Sequence, residues 1–187
     1  MKSNEAYFLG ALGDAYLDFK RNEVQIYQKN VEWLEHLNEI LFQMIGKRGR
    51  IFKRDVFLLR KRSKKLFLIL KKLLNEPIQH GEYFVAGWFD SEGSVYLSTK
   101  SKIPVVDITQ SEKGLRVLND CKQILDGLGI KNFLNGPYKH WNSKLKTYHL
   151  RVYGKHARLF FLRIPIIHKE KKARFEKFLR EMQTPKL

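Results

Sequence analysis

The sequence predicts an α+β fold in which one αββαββα unit is written twice, giving a pseudo-two-fold pair of halves. Each half supplies an antiparallel β-sheet saddle. Three observations point to it. Runs with two-residue alternation come in pairs, apolar residues at helical spacing lie between them, and the same order of both recurs in residues 4–76 and 81–187.

The first half opens with "NEAYFLGALGDA", an apolar helical run with Asn4 as its expected N-cap. "AYLDFKR" and "EVQIYQ" alternate on either side of Arg21-Asn22, the pattern of a β-hairpin. "NVEWLEHLNEILFQMIG" then places Val31, Trp33, Leu34, Leu37, Ile40, Leu41 and Met44 at helical spacing, and Gly46 suits a C-cap. "RIFKRDVFLLRKR" reads as two further strands and "SKKLFLILKKLLN" as an amphipathic helix. Pro77 and Gly81 interrupt helix in "LNEPIQHG", which makes 77–80 a linker.

The second half repeats the order. "GEYFVAGWFDSEG" is helical, and "SVYLSTK" and "PVVDITQ" are strands flanking Ser101–Ile103. "SEKGLRVLNDCKQILDGLG" is a helix with Ser111 as its expected cap and Gly129 near its end. "NFLNGPYKHW" and "KTYHLRVYG" are strands around a loop at 142–144. "HARLFFLRI" begins a helix that Pro165 stops, and "KEKKARFEKFLREM" adds another. The organisation is thus 1–76, a linker at 77–80, and 81–187 with an extra C-terminal helix. "EVQIYQKNVEWLEHLNEIL" parallels "PVVDITQSEKGLRVLNDCKQIL", and "FLLRKRSKKLFLIL" parallels "HLRVYGKHARLFFLRI". A period of roughly 80–90 residues is too long for a solenoid.

Composition narrows the function. Hydrophobic residues are 43% of the 187, enough for a packed core. Lys and Arg number 36 against 19 Asp and Glu, a net charge of +17, and such a balance calls for a polyanionic partner, most simply nucleic acid. No segment approaches the apolar length of a membrane span, and no signal peptide is visible, so a cytoplasmic or organellar location is expected rather than secretion. The single cysteine, Cys121, excludes an internal disulfide and a Cys-rich zinc site, and its helical context suggests a buried thiol.

"VAGWFDSEG", residues 85–93, resembles the nine-residue signature of the LAGLIDADG homing endonucleases. It has the small pair Ala86-Gly87, apolar Trp88-Phe89, Asp90, Glu92 in the eighth position, and Gly93. "YFLGALGDA" is a degenerate second copy with Asp14 in the eighth position and Leu9 where a small residue is usual. A rival register makes Asp14 sixth and Tyr16 eighth, leaving the first half without a catalytic acid. The small residues Gly10, Ala11 and Gly13, set against Ala86 and Gly87, permit close approach of two helices.

The resemblance implies a monomeric, two-motif, site-specific endonuclease acting on double-stranded DNA. It implies a long target site, cutting across the minor groove and 3′ overhangs. Asp14 and Glu92 are then the metal-binding acids, one from each half, holding Mg²⁺ with Mn²⁺ as a substitute; hard carboxylate oxygens and phosphates suit such an ion. Gln28, Lys29 and Gln110 form a polar shell near the acids, and Arg60 and Arg151 take the place of basic residues beside the scissile phosphates. Ser111 stands where the first half has Lys29. Alternation assigns a DNA-facing surface to Tyr16, Asp18, Lys20, Gln25, Tyr27, Lys53 and Arg60 in the first half. In the second it assigns Tyr96, Ser98, Lys100, Asp107, Thr109, Tyr138, His140, Thr147, His149 and Arg151. Asp18 and Asp107 are placed to accept from cytosine. The alternative is an RNA maturase assisting its host intron, or a DNA-binding relative that does not cut.

Overall fold

The computed structural model describes residues 1–139 and 144–183. In chain order the elements are α1 (Ser3–Ala11), a 3-10 turn (Leu12–Asp14), β1 (Ala15–Asp18), β2 (Glu23–Gln28), α2 (Val31–Ile45), β3 (Arg50–Lys53), β4 (Phe57–Arg62) and α3 (Lys64–Asn75). The order then repeats with α4 (Gly81–Glu92), β5 (Gly93–Leu97), β6 (Pro104–Ser111), a 3-10 turn (Glu112–Gly114), α5 (Leu115–Gly127), β7 (Phe133–Lys139), β8 (Lys146–Tyr153), α6 (Lys155–Arg163) and α7 (Lys169–Gln183). Packing divides the chain into two compact units, Met1–Ser91 and Glu92–Leu187. Helix α4 opens the second repeat in sequence but packs within the first unit. No helix among the described residues is long and apolar enough to cross a membrane.

Local chemistry explains the element ends. Asn30 caps α2, its side chain accepting from the Trp33 N–H at 2.9 Å, and Ser63 caps α3 through the Leu66 N–H at 3.2 Å. Gly46 closes α2 in the left-handed region at φ 73°, as its position suggests. Two expected caps are corrected. Asn4 lies inside α1, which begins at Ser3; there the Glu5 carboxylate accepts from the Lys2 N–H at 2.7 Å. Ser111 makes no capping bond: β6 runs through it, and a 3-10 turn leads into α5 instead. Strand β5 also stops at Leu97, so Ser98 and Lys100 lie in the connection that follows.

Both sheets are antiparallel and share one topology, β1-β2-β4-β3 and β5-β6-β8-β7. Their registers correspond except where β7 shifts against β8 between Asn135 and Tyr138. Ala15 pairs with Ile26 and Gly93 with Ile108; Gln25 pairs with Arg60 and Asp107 with Arg151. In the first unit α2 lies against β2 and β4, and Val24, Ile26 and Leu59 are buried on that face. In the second, α5, α6 and α7 cover one face of the sheet, burying Val95, Val106, Ile108, Leu150 and Val152. Cys121 is buried in α5, and that burial pushes its thiol up. The opposite face of each sheet carries most of its polar residues, with Leu58 and Phe52 in the first sheet and Val105 and Phe133 in the second among them.

Helices α1 and α4 approach to backbone contact. A Cβ on Gly87 would collide with the Tyr7 carbonyl oxygen and meet the Ala11 nitrogen at 2.8 Å; one on Gly10 would collide with the Phe84 carbonyl and meet the Trp88 nitrogen at 2.9 Å. Glycine is required at both positions for this reason. The first copy of the motif therefore keeps its close-approach glycine one place later, at Gly10, which is why Leu9 can stand where a small residue is usual. Helical geometry accommodates the offset. Gly10 lies four residues before Asp14, and Gly87 five before Glu92, but the first motif ends in a 3-10 turn. Three residues of 3-10 helix rise about 6 Å, as do four of α-helix.

A buried polar bond also ties these helices. Asp90, fully buried, accepts from the Tyr7 hydroxyl at 2.7 Å, and that hydroxyl accepts from Trp33 Nε1 at 2.7 Å. Burial and then the Asp90 carboxylate push the Tyr7 hydroxyl far up, so it stays a donor. Asp90 thus joins α4 to α1 and, through Tyr7, to α2.

Gly87→Ala should cost 3 kcal/mol or more, about the upper end for overpacking, since backbone rather than a side-chain tip must move. Gly46→Ala, strained by φ but facing open space, should cost only about 1–2 kcal/mol. Urea denaturation of both variants checks the order. Tyr7→Phe should lose about 1–3 kcal/mol by removing the hydroxyl that donates to Asp90 and accepts from Trp33 Nε1, read by the same titration.

Candidate nucleic-acid interface

The two acids of the motifs occupy equivalent places. Asp14 is the last residue of the 3-10 turn and Glu92 the last of α4, and each directly precedes the first strand of its sheet. Because Ala15 and Gly93 pair with the equivalent Ile26 and Ile108, the register equates Asp14 with Glu92. Tyr16, the eighth residue of the rival alignment, lies inside β1 instead and is 58% exposed. Glu92 is half-buried.

In the first sheet, cross-strand pairing sets one row of Tyr16, Gln25, Arg60 and Arg50 on the face away from the helices. Asp18, Glu23 and Arg62 form a second row on that face, and Tyr27, Leu58 and Phe52 a third. An open groove of about 300 Å³ at the β3–β4 side is lined by Glu23, Arg48, Arg50, Phe52, Arg60 and Arg62, among others. One expectation for this sheet is corrected. Lys53 pairs with Phe57 and shares parity with Ile51 and Leu59, so it projects from the helix-covered face rather than beside Arg60. Asp18 has a local role that the alternation does not suggest: its Oδ1 accepts the Lys20 and Arg21 N–H groups, each at 3.0 Å, and shapes the β1–β2 turn. Lys20 is an exposed turn residue. Gln28 ends β2 on the parity of Ile26, accepting the Lys29 N–H at 2.9 Å, and Lys29 is exposed beyond the strand.

In the second sheet, the polar face carries Ser94, Asp107, Arg151 and Phe133 in the row equivalent to Tyr16, Gln25, Arg60 and Arg50. Thr109, His149 and Asn135 form the next row, followed by Ser111, Thr147 and Tyr138, while Tyr96 faces the same way across Val105. Gln110 takes the other parity and lies against the turn at Gly114. His140 lies outside the described residues. Asp107, expected to accept from cytosine, is corrected most clearly. It is only 4% exposed, and its carboxylate is taken by Arg151 Nε at 2.9 Å, the Tyr96 hydroxyl at 2.9 Å, His149 Nδ1 at 3.1 Å and the Thr109 hydroxyl at 3.4 Å. Burial and the Asp107 bond push the Tyr96 hydroxyl up to about 12. Burial pulls the Arg151 guanidinium down, but the bond and charge of Asp107 more than reverse this.

Sequence reasoning missed Glu23, Arg50, Phe52, Arg62, Ser94, Phe133 and Asn135 on these faces. For Glu23 a signal existed, since it alternates with Gln25 and Tyr27. For Arg50 and Phe52 it did not, because the short strand β3 takes its parity from β4. Glu23 is 4% exposed and accepts from Arg60 Nη2 at 2.6 Å and from Gln25 Nε2 at 2.5 Å. The Tyr27 hydroxyl extends the chain to Gln25 Oε1 at 2.8 Å. The bond from Arg60, then that from Gln25, holds the Glu23 carboxyl below its ordinary range.

Residues 82–165 match the family described as a LAGLIDADG-like domain. Among solved structures, mesophilic variants of the homing endonuclease I-DmoI align over 87% of this chain and 95% of theirs, with 22% identity and a TM-score of 0.66. The homing endonuclease I-WcaI bound to its DNA recognition sequence aligns over 91% of this chain and 86% of its own, with 17% identity and a TM-score of 0.62. A mutant of I-SmaMI covers 94% of this chain and 89% of its own, with 14% identity and a TM-score of 0.61. No curated protein sequence matches the chain. The shared fold includes two four-stranded antiparallel sheets and seven helices among the described residues.

The lowered Glu23 carboxyl sets a pH signature. Its contribution to stability is complete above the unfolded value near 4.5 and disappears as pH falls through the lower folded value. Glu23→Gln should therefore be less stable than the parent at neutral pH, with a deficit that closes in strong acid; paired urea titrations across that range read it. A deficit independent of pH would exclude the ion pair as its source.

Proposed function

We propose that this chain, which carries a LAGLIDADG-like domain at residues 82–165 and has the fold of the LAGLIDADG homing endonucleases, is a site-specific double-strand DNA endonuclease using divalent metal ions. The observation that carries the reading is the equivalence of Asp14 and Glu92, each one residue ahead of a sheet whose outer face is rich in Arg, Tyr, Gln and Thr. A net charge of +17 supports a polyanionic partner. Structures of I-DmoI in complex with DNA and Mn, and with DNA and Ca, support the same partner and the need for metal.

On this reading the carboxylates of Asp14 and Glu92 would supply hard oxygen ligands, the donor chemistry that suits a hard cation. An ion held by so few protein groups keeps water and phosphate oxygens in its shell, which suits Mg²⁺, with Mn²⁺ as a substitute. When bound, it supplies the Lewis-acid charge for in-line hydrolysis of a phosphodiester. The remaining work falls to the chain. Strand residues on the two outer faces bind the major groove and fix the register of the duplex; exposed Lys and Arg hold phosphates. Gln28, Lys29 and Gln110 order the polar surroundings of the acids. Cutting across the minor groove, 3′ overhangs, action as a monomer and an origin within an intron complete the proposal.

The test is cleavage of linear DNA carrying the sequence that flanks the intron encoding this chain. Glu92→Gln and Asp14→Asn should each reduce cutting by about 10²–10³-fold, the scale of losing one charge-stabilising group, while both still bind the same duplex. Chelation by EDTA should abolish cutting. Full activity in Glu92→Gln would remove the metal role from that residue. Binding without cutting by the parent protein would favour the non-cleaving alternative.

A further inference from the structure

We propose that Asp107 and Glu23 are specificity-determining positioning residues: each is a buried acid that fixes base-reading side chains in place before a duplex arrives. This rests on the endonuclease reading above. Neither acid touches a base in this role; each acts through the arginine it holds, Arg151 or Arg60.

The burial of these two acids is the first observation. Both lie on the face of their sheet that no helix covers, yet each is 4% exposed. What covers Asp107 is its own set of donors, from Tyr96 on β5, Thr109 on β6, and His149 and Arg151 on β8. What covers Glu23 includes Gln25 beside it and Arg60 on β4. An acid taken up so completely has little capacity left for a base, which removes it as a reader and leaves it as an anchor.

Donor geometry is the second. Arg151 spends its Nε–H on Asp107. The acid takes one of the five N–H groups, and the terminal fork that matches guanine O6 and N7 is not the part bound to it. His149 uses Nδ1, which turns Nε2 to the opposite side of its ring. Arg60 is anchored through Nη2 and its side chain remains 51% exposed. In each sheet a long, flexible cation has already lost rotamer freedom, so less is lost when DNA binds.

Charge supplies the third argument. A surface built only to attract phosphate gains nothing from a buried carboxylate, which cancels one cation and repels the backbone. Such an acid weakens binding to every sequence alike, while the orientation it imposes rewards the one base that fits. The arrangement occurs in both sheets from different residues. Arg60 and Arg151 are equivalent in register, but the acid is Glu23, on the row beside Gln25, in one sheet and Asp107, directly opposite the arginine, in the other.

The experiment selects bound duplexes from a randomised DNA library with the full-length chain at fixed salt, and compares the sequences retained by the parent and by Asp107→Asn, Arg151→Lys, Glu23→Gln and Arg60→Lys. Asp107→Asn and Arg151→Lys should lose preference, by about tenfold, at the same one or two adjacent base pairs. Glu23→Gln and Arg60→Lys should do so together at a different place. Asp107→Asn should also bind a fixed non-specific duplex more tightly, as removal of one negative charge requires; the loss of preference at the base pairs that Arg151→Lys also affects is the change a merely structural role would not produce. Arg151→Lys keeps the charge and loses the fork; if Asp107→Asn fails to fold, Glu23→Gln against Arg60→Lys carries the test of the anchoring role. Unchanged profiles, or an equal loss at every position, would overturn the proposal while the parent's selectivity stands. A parent that enriches no sequence would remove the endonuclease reading and this inference with it.

Discussion

The contact between α1 and α4 is the constraint on which the rest depends. Two glycines, Gly10 and Gly87, let the helices meet backbone to backbone, and a single methyl group on either would occupy space already held by a carbonyl oxygen. Chain continuity then does the rest. Helix α1 passes through one 3-10 turn into β1, and α4 runs without a break into β5. Each sheet therefore receives its first strand directly from one of these helices, and each motif acid is the residue at that junction. The bond from Tyr7 to Asp90 adds a buried polar tie that favours one mutual rotation of the pair, since any other would strand a carboxylate away from water.

On the proposed reading the sheets answer a second constraint, that a face offered to a polyanion must be basic without being loose. Charge alone would give affinity for any duplex. The rows built on Gln25–Arg60 and Asp107–Arg151 combine cationic groups with acids that restrain them, and aromatic side chains stand beside both: Tyr16 and Phe52 in one sheet, Tyr96 and Tyr138 in the other. Such a face offers fixed donors rather than a diffuse field.

Much of this was legible in the sequence, and the reasons differ by element. The β1–β2 hairpin, α2 with its Gly46 cap and the break at Pro165 follow from local pattern, which needs no knowledge of the partner strand. The duplication was legible because Gln28 and Gln110 hold equivalent places near the ends of equivalent strands. Strand parity was not. Lys53 lies on the covered face because β3 takes its register from β4, a fact carried by pairing and not by the four residues themselves. Hydrogen-bond partners were not legible either. Asp18 and Asp107 look alike as acids in alternating strands, yet one shapes a turn and the other gathers four donors across three strands. Ser111 has the residue type of a cap, but the strand continues through it, so the prior of its side chain is overruled by the ladder to Thr147.

Duplication within one chain also frees the halves from being identical. The backbone register is kept through the central pairings, with a shift only between Asn135 and Tyr138, while the side chains on equivalent positions diverge: Tyr16 against Ser94, Gln25 against Asp107, Arg50 against Phe133. A homodimer would be bound to present the same array twice. Here the anchoring acid has even changed length and row, Glu23 reaching diagonally to Arg60 where Asp107 reaches directly to Arg151. Pairing geometry is what the fold demands of both sheets, and it constrains only the parity and rise of the strands. The identity of the outward residues is left open. On the proposed endonuclease reading, the two faces offer DNA two different arrays, and the sequences they prefer have no physical reason to match.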